Sequence, residues 1–390
     1  MADATTLQSM PLNVIRFDKV QNLIREVIGN PLDFGCVGLC GEPGIGKTQI
    51  IEDTAAKLKK GLSYVNCTLV SPGDLLGAAF PSSDRKYTEF LPSRILDENN
   101  VIFFDEIANG SNEVLNLANR TLLSGELNGR RFKEARLFAY NPTTVSEMAQ
   151  ELPTILVNKA AIFVVDYTSE DFLRYALGDG HKKIHPGVAA FIAETGERYM
   201  RVKDYHPLKR EGVALPTPGS PFPSPRALEL FSSLYKRVEM GSIDMTSYEV
   251  AYATLGAEAG KKLADYLVCS KYLCSTQKIL AGNEEKFPEE AFVDGALMTP
   301  IMYMQLYNLL ASINDKRGME NAAKWVFTQT KQEIMGTETL KVFATALQES
   351  RFKDSFASVV GGVGKEILGE KQFSQFMIGA ITRDLNAAKF

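Results

Sequence analysis

GEPGIGKT (residues 41–48) stands directly between an apolar run, FGCVGLC (34–40), and a helix-like one, QIIEDTAAKLKK (49–60). Gly41, Gly44 and Gly46 permit a tight loop whose backbone N–H groups turn inward, and a helix starting there adds its positive dipole end. That geometry suits phosphate oxygens. Lys47 can reach β- and γ-phosphates, and the Thr48 hydroxyl can ligate Mg²⁺. The motif needs a strand leading in and a helix leading out, and both are present. Gly41, Glu42, Pro43, Gly44, Ile45, Gly46, Lys47, Thr48 and Gln49 are therefore read as a nucleotide-phosphate loop rather than a structural turn. GGVGK (361–365) looks alike, but its first glycine is misplaced and Glu366 replaces the Ser or Thr. It is read as a helix-breaking turn.

Outward from the loop, short apolar runs recur at 34–40, 62–66, 101–105, 136–140 and 161–166, with helical patterns between them, such as 48–60 and 111–124. Strands that are apolar throughout suit a parallel sheet covered on both faces. The series predicts an α/β domain over 1–167. After Tyr167 the strand signal fades, and segments 169–178, 186–202, 225–240, 246–280, 289–313, 319–334 and 337–357 read as helices. ALPTPGSPFPSP (214–225) must be an extended loop.

Two of the apolar strands end in polar groups. VIFFDE (101–106) places Asp105 at the C-terminal tip of a buried strand, the edge where ligands bind in open α/β sheets. There Asp105 can hold a magnesium ion and Glu106 can polarise an attacking water. RLFAYNP (136–142) ends in Asn141, whose carboxamide can hydrogen-bond a γ-phosphate and that water. In SPRALEL (224–230), Ser224 reads as an N-cap and Pro225 as the first helical residue. Arg226 in the first turn opposes the helix dipole, which an anionic partner would explain.

Composition narrows the function classes. The chain has 390 residues, 45% of them hydrophobic, and a net charge of −4. That size predicts two or three domains, and the charge lends no support to a large nucleic-acid footprint. Five cysteines without metal spacing suit a reducing compartment. The N-terminal stretch lacks the pattern of a secretory signal, and no apolar run is long enough for a membrane span. The expectation is a cytoplasmic protein without membrane association.

Together GEPGIGKT, VIFFDEIA, RLFAYNP and SPRALEL, in this order, resemble the AAA+ ATPases, most closely their MoxR branch, over roughly residues 10 to 270. DLLGAAF (74–80) and NRTLLSGELNGRRFKEARLFAYNP (119–142) resemble the same family. The resemblance implies an α/β P-loop NTPase parallel sheet (the AAA+ core, 1–167), then an all-α lid (168–270) with a Pro-rich loop at 203–225. A helical C-terminal extension (271–390) lies beyond what the family pattern covers. It further implies ATP and Mg²⁺ as ligands and a homo-oligomer built as a hexameric ring. The implied partner is a protein client, such as a von Willebrand factor A domain protein. Lys47 and Thr48 then belong to Walker A, Asp105 and Glu106 to Walker B, Asn141 to sensor 1 and Arg226 to sensor 2.

One position departs from the family pattern. Where the family carries an arginine that reaches a neighbouring subunit, LVNKAAIF puts Lys159, which supplies charge without the planar fork. Either Lys159 serves weakly, or Arg120, Arg130 or Arg131 takes over, or activation in trans is reduced. His181 and His185 (HKKIH) have metal-like spacing, but no third ligand stands nearby. Trp325 reads as a core anchor. Two rival readings are a nucleic-acid-associated motor or loader and a weakly hydrolysing, nucleotide-dependent scaffold.

Overall fold

The computed structural model describes residues 13–143, 149–178, 180–203, 210–214, 217, 219–349, 353–370 and 373–374. Most of the stretch inspected for a secretory signal (1–12) and parts of the Pro-rich loop (204–209, 215, 216, 218) lie outside the described residues. Those up to Thr168 form one compact unit and those from Ser169 onward another.

In the first unit the strands are β1 (Val14–Arg16), β2 (Cys36–Cys40), β3 (Leu62–Asn66), β4 (Ala78–Pro81), β5 (Thr88–Leu91), β6 (Val101–Asp105), β7 (Glu126–Leu127), β8 (Arg130–Arg131), β9 (Arg136–Tyr140) and β10 (Ala160–Asp166). Six of them make one sheet in the order β1-β10-β2-β9-β6-β3, parallel throughout. This is the P-loop sheet expected of an AAA+ core. β2 and β6 are buried at every position, which is why they read as unbroken apolar runs. β1 is too short to carry such a signal. The hairpins β4–β5 and β7–β8 stand apart from the sheet, and every residue of β4 and β5 is exposed.

One core cluster joins Cys36, Ile102, Phe104 and Phe138 from the strands to Val114, Leu115, Ala118 and Leu122 of the helix Asn112–Ser124. Burying a Phe or Leu side chain contributes about 1.5–3 kcal/mol, so this layer holds the loops at the strand tips. Gly38 lies in register with Phe138, and a Cβ there would sit 2.2 Å from the Phe138 ring. The ring lies across the glycine. Burial also pushes the Cys36 thiol up to about 11 and the Cys67 thiol to about 12, so both act as small apolar fillers.

The second unit is mainly helical. Its longer helices are Pro186–Thr195, Pro225–Glu239, Ala257–Leu267, Thr299–Ser312, Lys316–Lys331, Thr337–Glu349 and Lys353–Leu368. Trp325 is buried, stacks edge-on against Phe287 and donates from Nε1 to the Glu285 carbonyl at 2.9 Å. The expected helix 289–313 starts only at Thr299, because a hairpin, β11 (Phe292–Val293) and β12 (Ala296–Leu297), precedes it. Asp294 and Gly295 turn that hairpin with φ of 51° and 80°, the Asp-Gly chemistry of a tight turn. GGVGK is not a helix-breaking turn. It lies inside the helix Lys353–Leu368, where Gly364 leaves room for Phe373, whose ring would be 2.3 Å from a Cβ.

His185 caps the helix Pro186–Thr195, accepting from the Gly187 N–H at Nδ1 and meeting Glu239 at Nε2, 3.0 Å each. His181 Nδ1 lies 2.9 Å from the Gly178 carbonyl. Among the described residues no helix is long and apolar enough to cross a membrane.

Gly38→Ala should destabilise the first unit by about 1–3 kcal/mol, because the added methyl has only the buried Phe138 ring to displace. Thermal denaturation checks it, and an unchanged midpoint would contradict the packing described.

Candidate functional site

β2 ends at Cys40 and the loop 41–46 follows it. Gly44 and Gly46 take φ of 78° and 91°, a region that residues with a Cβ avoid. Gly41 has a different reason to be glycine, since a Cβ there would lie 2.8 Å from Ile45 Cδ1. Gly46 is the N-cap of the helix Lys47–Lys57 and supplies no side chain to cap it. A helix N-terminus without a side-chain cap is a place where an anion can take that role. Gln49 is exposed and bonds Asp53 one turn on, so what it can offer a phosphate is its backbone.

Lys47 is 7% exposed. Its ammonium donates to the carbonyls of Gly41 and Glu42, both at 2.8 Å, and to Asn141 Oδ1 at 2.9 Å. Thr48 Oγ1 donates to Asp105 Oδ2 at 2.7 Å, while Asp105 Oδ1 accepts the Glu106 backbone N–H at 2.9 Å. Tyr64, on the adjacent strand β3, places its hydroxyl 3.4 Å from the same Oδ2. Burial and the Asp105 charge both push the Tyr64 phenol above its ordinary range.

Asn141 stands at the tip of β9 and is likewise buried. Its Nδ2 donates to both Glu106 carboxylate oxygens, at 3.1 and 3.0 Å. Only one orientation of the amide serves an ammonium on one side and a carboxylate on the other. The Lys47 ammonium and the Glu106 carboxylate are therefore linked through one side chain. Glu106 itself adopts left-handed backbone (φ 52°, ψ 37°), costing about 1–3 kcal/mol for a non-glycine residue. Asn109, absent from the sequence reading, donates from Nδ2 to Glu106 Oε2 at 2.8 Å.

The Cys40 thiol is raised by burial, an effect partly offset by a hydrogen bond with Tyr140 and by the Lys47 charge. A protonated thiol is a poor nucleophile, so Cys40 serves as apolar packing under the loop. The donor set fits Mg²⁺, since a hydroxyl and a carboxylate are the hard oxygen ligands it takes. The loop fits a polyphosphate.

Within the first unit, Lys159 stands elsewhere. Lys159 precedes Ala160, which pairs with Cys36 at the start of β2. It lies at the opposite edge of the sheet from Asp105 and Asn141, a strand length of about 15–20 Å away, so it does not reach the site of its own chain. Its exposed side chain lines a hollow of about 350 Å³ with Asn119, Arg120, Leu123, Ser124 and Ile155. Arg130 is committed internally, to Glu98 Oε1 at 2.9 Å and the Leu96 carbonyl at 2.6 Å. Arg131 Nε pairs with Glu126 at 2.9 Å. Arg226 belongs to the second unit, exposed in the first turn of Pro225–Glu239, where Ser224 caps the Ala227 N–H at 3.1 Å.

Residues 37–152 match the family model described as AAA domain (dynein-related subfamily). None of the curated proteins matches the chain. Among solved structures it is similar to the Thermotoga maritima RuvB Holliday junction branch migration motor, with 14% identity over 87% of this chain and 85% of that one and a TM-score of 0.31. Two single-substitution mutants of that protein match at 14% and 15% identity, over 87% of this chain and 86% and 85% of theirs, each with a TM-score of 0.32. Overlays this loose leave the fold to be argued from the strand order and the P-loop.

Lys47→Ala should abolish nucleotide binding, read with a fluorescent ATP analogue. It should also release Asn141 from its cationic partner. Retained affinity would show that the loop is not the phosphate site.

Proposed function

We propose that this chain is a Mg²⁺-dependent ATPase of the MoxR type, which works as a ring and couples ATP hydrolysis to remodelling a protein partner. The observation that carries the reading is the bridge Lys47–Asn141–Glu106 beside the Thr48–Asp105 pair, where the first turn of the helix Lys47–Lys57 meets the ends of β6 and β9. Support also comes from the AAA-domain match over the segment that holds Lys47, Asp105, Glu106 and Asn141.

In this reading Lys47 exchanges its carbonyl contacts for oxygens of the β- and γ-phosphates. Thr48 and Asp105 hold Mg²⁺, which when bound offsets the charge on those phosphates. Glu106 orients a water for in-line attack and accepts its proton. Asn141 keeps the carboxylate turned toward the cation and hydrogen-bonds the water. A γ-phosphate role for Arg226 rests on its place in SPRALEL, and Arg226→Ala tests it by loss of turnover.

The position of Lys159 at the far edge supports action on a neighbour. Arg120 shares its hollow, whereas Arg130 and Arg131 are engaged within their own chain. We therefore assign the trans-acting charge to Arg120 and Lys159 together. The client is a protein, with a von Willebrand factor A domain protein as the type the resemblance implies; the net charge of −4 supports a protein over nucleic acid.

Glu106→Gln should bind ATP normally and lose turnover by about a hundredfold or more, measured by phosphate release. Full hydrolysis by this variant would rule out the assigned base. Replacing Arg120 and Lys159 together with alanine should cost at least about tenfold in turnover. Mixing that variant with Lys47→Ala subunits should then restore a rate neither shows alone, because the intact cations of one face the intact loop of the other. A mixture no faster than its parts would count against action in trans.

A further inference from the structure

We propose that Asn109 is a positioning residue for the Glu106 carboxylate, held to that task by Gln150. The inference deepens the hydrolytic reading and rests on it. Glu106 is followed by a single 3₁₀ turn, Ile107–Asn109. Its left-handed backbone starts that turn, which closes with the Asn109 N–H donating to the Glu106 carbonyl at 2.9 Å. Residue i+3 is thereby folded back over residue i, and the Asn109 amide meets the carboxylate from the turn itself.

The two amides on Glu106 have different origins. Asn141 comes from a neighbouring strand and spans both oxygens, at 3.1 and 3.0 Å, whereas Asn109 takes Oε2 alone at 2.8 Å. One donor leaves a carboxylate free to rotate about its last bond; a second from another direction sets its plane. Asn66, the amide at the tip of β3, is turned elsewhere, its Oδ1 accepting from the Thr68 N–H and hydroxyl at 3.0 and 2.7 Å.

Gln150 pins the turn. Its backbone N–H donates to the Ala108 carbonyl at 2.9 Å, and its Nε2 donates to the Gly110 carbonyl at 2.6 Å. The carbonyls on either side of Asn109 are thus held from the segment that follows β9. Gly110 cannot retreat, since even a Cβ there would lie 2.9 Å from the Cys67 Cβ. Ile107 and Ala108 are buried as apolar packing, so packing accounts for them but not for an amide at position 109.

The test compares Asn109→Ala and the isosteric Asn109→Asp with wild type, in steady-state ATP turnover and in affinity for a fluorescent ATP analogue. The alanine variant should lose about tenfold in kcat, the cost of a base that is present but loosely aimed. The aspartate variant should lose more, because a second carboxylate repels Glu106. KM and analogue affinity should stay within about twofold of wild type, since the loop and Asp105 are untouched. A purely structural role would instead tolerate aspartate, or weaken nucleotide binding along with turnover; either result overturns the assignment. So does a kcat in both variants that equals or exceeds wild type. A hydrolysing wild type with unaffected variants sinks the Asn109 role alone, whereas a wild type that releases no phosphate sinks the ATPase reading with it.

Discussion

Asn141 can serve Lys47 and Glu106 together only because the strands carrying these groups end at one edge of the sheet. β2, β6 and β9 are adjacent and parallel, in a register that pairs Cys40 with Tyr140 and Phe104 with Phe138. The loop starts one residue beyond Cys40, Asn141 follows Tyr140, and Asp105 is the last residue of β6, so the three lie side by side. A shift of one residue would swap the two faces of each strand and bring a residue other than Gly38 under the Phe138 ring. Apolar burial in the sheet and hydrogen bonding at its tip therefore specify the same register.

The site is polar in a way its surroundings are not. Below it lie Phe103, Phe104 and Phe138, all inaccessible to solvent. Above it, the buried Lys47 ammonium, the Asn141 amide and the Glu106 carboxylate satisfy one another, while the Asp105 carboxylate accepts from Thr48 and the Glu106 N–H. Buried polar groups of this kind are costly unless paired, and the network leaves each with a partner. The left-handed backbone at Glu106 is strain held in place by the buried Ile107 and Ala108 after it. The same strain bends the chain so that Asn109 returns to Glu106.

Much of the first unit was legible because a parallel strand buried on both sides leaves an unbroken apolar run, as in VIFFD and RLFAY. Features that lack this imprint escaped. The hairpin β4–β5 is exposed at every position, and β11–β12 was absorbed into a helical reading although Asp294–Gly295 carries a turn signal. GGVGK misled in the other direction, because Gly364 answers to the distant ring of Phe373 rather than to local propensity. In the site, Lys47, Thr48, Asp105 and Asn141 were readable from motif and strand position. Asn109 was not, since its reach depends on backbone angles at Glu106 that no spacing rule announces. Lys159 was found by family pattern, but only the pairing of Ala160 with Cys36 puts it at the far edge.

If the Lys47–Asn141–Glu106 bridge and the Thr48–Asp105 pair form one Mg²⁺-dependent hydrolytic site, steady-state phosphate release from ATP continues with Mg²⁺ and stops on chelation by EDTA. Equal release under both conditions, or none under either from protein that binds ATP, rules such a site out.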